Sequence, residues 1–175
     1  MKILETKNLA KRFDGVHAVD HLSIGIEKGE ITGIIGPNGS GKTTLINLWS
    51  GMLAMDGGEI IIDGVQKFTR IFPRQVFFYG ITRTFQNVRL FEQMTVLDNI
   101  LVVLTERNVF SSLFEKHTEY HLKKAGEVLQ KIGLWEKRNQ LASNLSYGQR
   151  KLLEIARTLA IKAEIYLFDE PFAGL

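Results

Sequence analysis

The sequence contains no cysteine and only three prolines among its 175 residues. Without cysteine there is neither a disulfide framework nor a thiolate zinc site, which fits a reducing compartment. The most apolar run, "NILVVL", is far shorter than the ~18 residues that a membrane-spanning helix needs. The N-terminus carries Lys2, Glu5 and Lys7 and lacks the apolar centre of a secretion signal. These absences predict a chain that is made and kept in the cytoplasm, while docking on a membrane protein stays open.

A strong charge of either sign is also missing. The net charge is +3, from 22 basic and 19 acidic residues, and the nearest basic run, Lys123–Lys124, lies on a helical pattern. A nucleic-acid-binding protein would concentrate its basic residues on one face, so the composition predicts no nucleic acid as partner. With 45% hydrophobic residues the chain can bury a core, and its length suits about one domain.

Five short apolar runs bounded by turn residues predict strands. They are "ILETKNLAKRF", "LSIGIEKGE", "ITGII" at residues 31–35, "GEIIIDG" and "EIYLFDE". The run at 31–35 is mostly β-branched and predicts a buried strand that ends at Gly36. The last run carries Asp169 to the end of another buried strand.

Apolar residues at helical spacing predict four helices. One follows Gly41, one follows a capping box of Thr95 and Asp98, one ends at Gly133, and one follows "LSYGQ". The stripes that define them are Leu45, Leu48 and Trp49; "VLDNILVVL"; Leu122, Ala125, Val128, Leu129 and Ile132; and Leu152, Leu153, Ile155, Ala156 and Leu159. The order predicts a β-rich core at 1–86, a helical insertion at 87–150 and a return to the core at 151–175.

The stretch "GPNGSGKTT" fits the pattern of a phosphate-binding loop, G-x-x-x-x-G-K-[ST]. Its residues are Gly36, Pro37, Asn38, Gly39, Ser40, Gly41, Lys42, Thr43 and Thr44. Glycines let the backbone wrap closely around phosphates, and the following helix adds its positive N-terminal end. Lys42 is predicted to bind the β- and γ-phosphates, and the Thr43 hydroxyl is predicted to bind Mg²⁺.

The strand at "IYLFDEP" supplies two carboxylates at its carboxyl end, where open α/β sheets bind ligands. Asp169 is predicted to reach Mg²⁺ through water. Glu170 is predicted to orient an attacking water or accept its proton. Together with the phosphate loop, this pair indicates hydrolysis of a nucleotide.

Three motifs together resemble the ATP-binding subunit of ABC transporters, and the resemblance covers the whole chain. They are the phosphate loop, the Asp169–Glu170 strand and "LSYGQ", which matches the family signature with Tyr147 in place of a glycine. "GITRTFQNVRLFEQMTVLDNILV", "LASNLSYGQRKLLEIARTLA" and "DEPFAGL" look like the ATPase of branched-chain amino-acid importers. The resemblance implies an α/β fold with a P-loop NTPase (RecA-like) core, an N-terminal antiparallel β-subdomain and an inserted α-helical subdomain.

The resemblance also implies further site residues. Phe13 lies where the family places the aromatic that stacks on adenine, although it could equally be a core residue of its strand. Gln86, in "RTFQ", matches the glutamine that contacts Mg²⁺ and the attacking water. The signature residues Ser146, Tyr147, Gly148 and Gln149 would close on the ATP that a second chain holds.

The implied partners follow from that arrangement. The chain would pair head to tail with a second ATP-binding subunit, identical or related, and dock on transmembrane permease subunits. A solute-binding protein would take part indirectly. The implied place is peripheral, on the cytoplasmic face of the inner membrane. The predicted docking segment is "NVRLFEQMTVLDN", whose apolar residues Val88, Leu90, Phe91 and Met94 could also be core.

One departure from the family pattern concerns the end of the chain at Leu175. The family has a later histidine that contacts the γ-phosphate, whereas His17, His21, His117 and His121 all precede Glu170. The single ABC domain at 1–175 is therefore predicted to be incomplete at its C-terminus. A chain of this length is predicted to bind nucleotide weakly and to turn over ATP poorly.

Three other functions remain possible on sequence alone. A soluble ABC ATPase acting on nucleic acid or the ribosome usually shows a second cassette or a coiled-coil insertion. A P-loop kinase has no use for "LSYGQ", and a regulatory module that no longer hydrolyses ATP has no use for Glu170.

Overall fold

The computed structural model describes residues 1–84, 90–104 and 119–171. The chain forms two compact units. The first unit comprises residues 1–82 and 163–167, and the second comprises 83–162 and 168–175. The sequence-based boundaries at 86/87 and 150/151 stay a prediction.

An antiparallel sheet dominates the first unit. Its strands are β1 (Lys2–Phe13), β2 (Val16–Leu22), β3 (Gly25–Glu27), β4 (Gly57–Ile62) and β5 (Gln66–Phe68). The order is β2-β1-β4-β5, and β3 also pairs with β1. Asp14 and Gly15 turn β1 into β2 with φ of 43° and 87°, as a two-residue hairpin of the right twist requires. The strands predicted at "ILETKNLAKRF" and "GEIIIDG" are confirmed.

The first unit buries its sheet against one helix. Helix α1 (Lys42–Trp49) contributes Leu45, Leu48 and Trp49 to the same core as Leu4 of β1 and Ile60 of β4. All of these side chains are at most 4% exposed. The helix predicted after Gly41 is thereby confirmed, and the packed core fixes the position at which α1 begins.

The buried strand predicted at residues 31–35 is wrong. These residues have no regular secondary structure, and Ile31 and Ile35 are 104% and 95% exposed. A buried strand needs neighbouring backbone to pair its N–H and C=O groups. Within the described ranges no strand pairs with this run. The apolar pattern recorded the composition of the run but not the presence of a hydrogen-bonding partner.

A second, two-stranded sheet joins β6 (Ile81–Arg83) to β7 (Ile165–Leu167). The strand predicted before Asp169 is thus confirmed, with Ile165 and Leu167 buried. Between β5 and β6 lie the short helix α2 (Pro73–Val76) and a 3₁₀ turn (Phe77–Tyr79).

The second unit is helical. Its α-helices within the described residues are α3 (Val96–Leu104), α4 (Glu119–Lys131) and α5 (Tyr147–Ala160). They share one apolar core that includes Ile100, Leu129 and Leu153, each 0% exposed. Leu122, predicted on the buried stripe of α4, is instead 41% exposed in the first turn.

The ends of these helices follow their sequence signals. The Thr95 hydroxyl accepts the Asp98 N–H (3.0 Å) and donates to the Asp98 carboxylate (2.6 Å). At the end of α4, Gly133 has φ of 70°, and the Gly133 and Leu134 amides donate to Gln130 and Leu129 carbonyls. This is a Schellman motif, which needs a left-handed residue at that point. Among the described residues no helix is long and apolar enough to cross a membrane.

Candidate functional site: a phosphate loop, two carboxylates and a capped signature helix

The phosphate loop is shaped by glycines immediately before α1. Gly39 and Gly41 have φ of 82° and 88°, in the left-handed region that favours glycine. A Cβ atom on Gly41 would lie 2.1 Å from the carbonyl oxygen of Ala18, whereas one on Gly39 would meet nothing within 4 Å. Gly41 is therefore required both by its backbone angle and by the close approach of β2.

Lys42 folds back across this loop. Its Nζ donates to the carbonyl oxygens of Gly36 (2.9 Å) and Pro37 (2.8 Å). An ammonium has three donor protons, so these neutral acceptors leave the charge uncompensated and one donor for a further oxygen. Lys42 therefore holds a positive charge against the loop.

The N-terminus of α1 is open. Its N-cap is Gly41, which makes no side-chain capping hydrogen bond, and the first turn contains no acidic residue. The first amides of a helix have no intrahelical acceptor and attract anions. Thr43 and Thr44 are half-buried in this turn. The loop, the helix end and Lys42 therefore fit a nucleotide phosphate chain, and Thr43 supplies a hydroxyl of the kind that binds Mg²⁺.

Phe13 lies at the end of β1 and is 42% exposed, so it is not a core residue. The Lys11 Nζ lies 5.3 Å from its ring centroid and 2.9 Å from Asp56 Oδ1. Asp56 Oδ2 also accepts the Arg12 N–H at 2.8 Å. The Lys11 side chain and the Arg12 amide lower the pKa of the Asp56 carboxyl. The charged Asp56 thus anchors the strand end that carries Phe13, whose adenine-stacking role stays a prediction.

In the second unit, Asp169 and Glu170 follow β7 with opposite environments. Asp169 is 3% exposed, its N–H donates to Thr84 Oγ1 at 3.3 Å, and its Oδ2 lies 3.7 Å from Arg83 Nη2. Glu170 is exposed and has φ of 47°. A left-handed backbone is uncommon for glutamate and is found where function or packing imposes it.

The sequence did not assign roles to Arg83 and Thr84. Both lie next to Asp169 in the structure but about 85 residues before it in the chain. Their only sequence signal is their place in "RTFQ", directly before Gln86. Gln86 itself, Val88 and the residues of "DEPFAGL" after Pro171 lie outside the described residues.

The signature residues begin helix α5. Ser146 is the N-cap: its Oγ accepts the Gln149 N–H (3.3 Å), and Gln149 Oε1 accepts the Ser146 N–H (3.2 Å). This is a complete capping box. Tyr147 is 46% exposed. Lys137, which the sequence did not single out, donates to Gln149 Oε1 at 3.1 Å.

Of the predicted docking segment, residues 90–99 are described. Leu90 packs against the helical core, whereas Phe91 is 46% exposed and lies 4.9 Å from the Arg157 guanidinium. Asn99, fully buried, bonds both the N–H and the C=O of Phe91 at 3.0 Å. The exposed ring is thus held on a fixed backbone.

Within the described ranges no three His, Cys, Asp or Glu side chains form a metal-binding group.

A family model for ABC transporters matches residues 19–173. A probable branched-chain amino-acid transport ATP-binding protein of Archaeoglobus fulgidus is 43% identical, over 100% of this chain and 70% of that protein. A crystal structure of an ABC-transporter ATP-binding cassette in its ADP conformation has a TM-score of 0.81 at 39% identity, covering 100% of this chain and 71% of that chain. A dimeric ATP-binding cassette bound to ADP and Pi has a TM-score of 0.81 at 28% identity, covering 98% of this chain and 75% of that one.

These likenesses confirm the P-loop NTPase fold that the motifs predicted, and they do not favour a kinase or a nucleic-acid-directed ATPase. The chain belongs to the ABC transporter family and is one of its ATP-binding, ATP-hydrolysing subunits.

Proposed function

We propose that the chain energises an importer of branched-chain or related amino acids by binding and hydrolysing ATP with Mg²⁺. The observation that carries the nucleotide part is the Lys42 ammonium held across the Gly36 and Pro37 carbonyls beside an uncapped helix end. The importer part is supported by the relative in Archaeoglobus fulgidus, whose similarity covers the whole chain. A nucleic-acid substrate has no comparable support, because the net charge is only +3.

The first unit would bind the phosphates. The loop amides of residues 36–41 and the N-terminus of α1 would take the phosphate oxygens, and Lys42 would compensate the charge of the β- and γ-phosphates. Thr43 would bind Mg²⁺ directly, and Asp169 and Gln86 would contact it as well. The ion, when bound, supplies charge neutralisation for the transferred phosphoryl group. Phe13 would stack on the adenine ring.

Glu170 would act on the attacking water. Support comes from its exposed carboxylate directly after the buried Asp169, since a solvent-accessible carboxylate can accept a proton or orient water for in-line attack. Gln86 would help to orient the same water. Because most of the rate enhancement in phosphoryl transfer comes from positioning, the loss of the Glu170 carboxylate should stop turnover while leaving ATP bound.

A second ATP-binding subunit would complete the site. Residues 146–149 at the N-terminus of α5 would close on the γ-phosphate that the partner's loop holds. Support comes from the dimeric cassette that resembles this chain. The subunit would lie on the cytoplasmic face of the membrane, with exposed Phe91 and its neighbours against permease subunits, which would receive the solute from a binding protein.

Reconstitution with its permease subunits tests the proposal. Proteoliposomes with ATP inside and the binding protein outside should take up leucine, isoleucine or valine only when Mg²⁺ is present. Glu170→Gln should abolish uptake and hold the ATP-bound dimer, whereas Lys123→Met, on an exposed face of α4, should change neither. Normal uptake by the Glu170→Gln protein would overturn the assignment of Glu170, and ATP hydrolysis without uptake of any amino acid would overturn the transport role.

A further inference from the structure

The side chain of Gln149 has one defined orientation in this structure. Its Oε1 faces two donors, the Ser146 backbone N–H at 3.2 Å and the Lys137 ammonium at 3.1 Å. An amide nitrogen cannot accept from either group, so the oxygen must be the atom on that side. The two Nε2 protons consequently lie on the other side of the amide, away from the helix cap.

Lys137 itself is fixed by its surroundings. It ends the 3₁₀ turn Trp135–Lys137, which follows the Schellman motif at the end of α4, and its N–H donates to Leu134 O at 3.0 Å. The Trp135 ring packs so closely on α4 that a Cβ on Gly126 would lie 3.2 Å from it. The Arg138 guanidinium covers the same ring at 4.3 Å. The backbone of Lys137 therefore lies in a well-packed turn, which restricts where its ammonium can lie.

The capping box alone leaves the amide weakly held. The Ser146 N–H is a single neutral donor on an exposed bond, and water can replace it. A charged donor makes a shorter and stronger hydrogen bond, so Lys137 contributes most of what holds Oε1 in place. It also adds a positive charge beside the positive end of α5, where a phosphate is favoured.

We propose that Lys137 is a positioning residue for the signature loop: it fixes the Gln149 amide so that its Nε2 donors face the nucleotide held by a second chain. The proposal rests on the proposed function, since it requires that residues 146–149 meet a nucleotide in the dimer. Lys137 does not touch the nucleotide itself but acts through Gln149.

Two measurements test the proposal on the Glu170→Gln protein, which isolates association from turnover. The first is the ATP concentration that gives half-maximal dimer by analytical ultracentrifugation. Lys137→Met should raise it about three- to tenfold, as expected for one lost charge-assisted hydrogen bond. Lys137→Arg should stay within about twofold of the parent because it keeps a charged donor. Lys123→Met removes the same charge from an exposed position of α4 and should have no effect.

The second measurement is the ¹⁵N NMR order parameter of the Gln149 side-chain amide in the nucleotide-free protein. It should fall in Lys137→Met and be restored in Lys137→Arg, while the thermal midpoint stays the same. Equal order parameters and equal ATP midpoints for the parent and Lys137→Met would overturn the proposal. If ATP produces no dimer even with Lys137 intact, the proposed function fails, and the NMR result alone decides whether Lys137 positions Gln149.

Discussion

The two helix N-termini of the candidate site are built in opposite ways. The N-cap of α1 is Gly41, which has no side chain to make a capping bond, whereas the N-cap of α5 is Ser146, which forms a complete capping box. At α1 neither a capping side chain nor an acidic residue occupies the first turn, so an anion can complete the helix end directly. At α5 two of the amides are already satisfied within the chain. Under the proposed function, the first end would bind the nucleotide held by the chain itself, and the second would meet the nucleotide held by a second chain.

The largest effect expected from this contrast concerns Gly41→Ala. The new Cβ would meet the Ala18 carbonyl, and the residue would need a left-handed backbone, so the loop cannot keep its shape. Affinity for ATP should fall at least about 100-fold, since the phosphate ligands come from this loop. Isothermal titration with ATP and Mg²⁺ measures it.

Gly39→Ala is the matched control for that experiment. It has the same left-handed backbone but no atom within 4 Å of the added Cβ. The loss of binding free energy for ATP in Gly39→Ala should be limited to the backbone strain of about 1–2 kcal/mol. Equal losses of affinity in the two variants would show that the contact with Ala18 does not matter.

A smaller and more selective effect is expected for Gly148→Asp at the start of α5. A carboxylate in the first turn favours the helix, so the free energy of unfolding should not fall. The same charge would repel a phosphate that approaches from another chain. ATP binding to the monomer should therefore be unchanged while ATP-driven association weakens at least about tenfold. If the Gly148→Asp monomer lost ATP binding, the assignment of different roles to the N-termini of α1 and α5 would be contradicted.

The smallest effect concerns Asp56→Asn, which removes the charge that anchors Lys11 and the Arg12 amide beside Phe13. The KM for ATP should rise a few-fold with little change in kcat, because only the ring that would stack on adenine loses its support. The pKa of Asp56 lies below its usual value of 3.8. Its anchoring is therefore complete above that pH and is lost as the pH falls through the lowered pKa. The KM ratio of the two proteins should consequently stay constant between about pH 6 and pH 8.

The sequence was sufficient to predict the features that depend on local spacing. The phosphate loop, the capping residue Thr95 and the terminating Gly133 are each defined by a few adjacent positions, and their backbone geometry follows from those residues. The carboxylates of Asp169 and Glu170 were found because a strand pattern leads directly to them.

The features that depend on distant residues were missed or mistaken. The buried strand expected at residues 31–35 failed because pairing depends on a partner strand and not on the run itself. Thr84 and Lys137 could not be assigned, since their contacts with Asp169 and Gln149 join positions 85 and 12 residues apart. Periodicity carries no information about such contacts.

The most direct test of a site shared between two chains is complementation between two defective proteins. One carries Lys42→Ala, which disables the phosphate loop, and the other carries Gly148→Asp, which disables the signature end; both also carry Glu170→Gln. A head-to-tail dimer of the two contains one site in which both halves are intact. We expect that ATP will not dimerise either protein by itself. The mixture should form a heterodimer that holds one ATP. A mixture that associates no better than either protein alone would contradict the shared site.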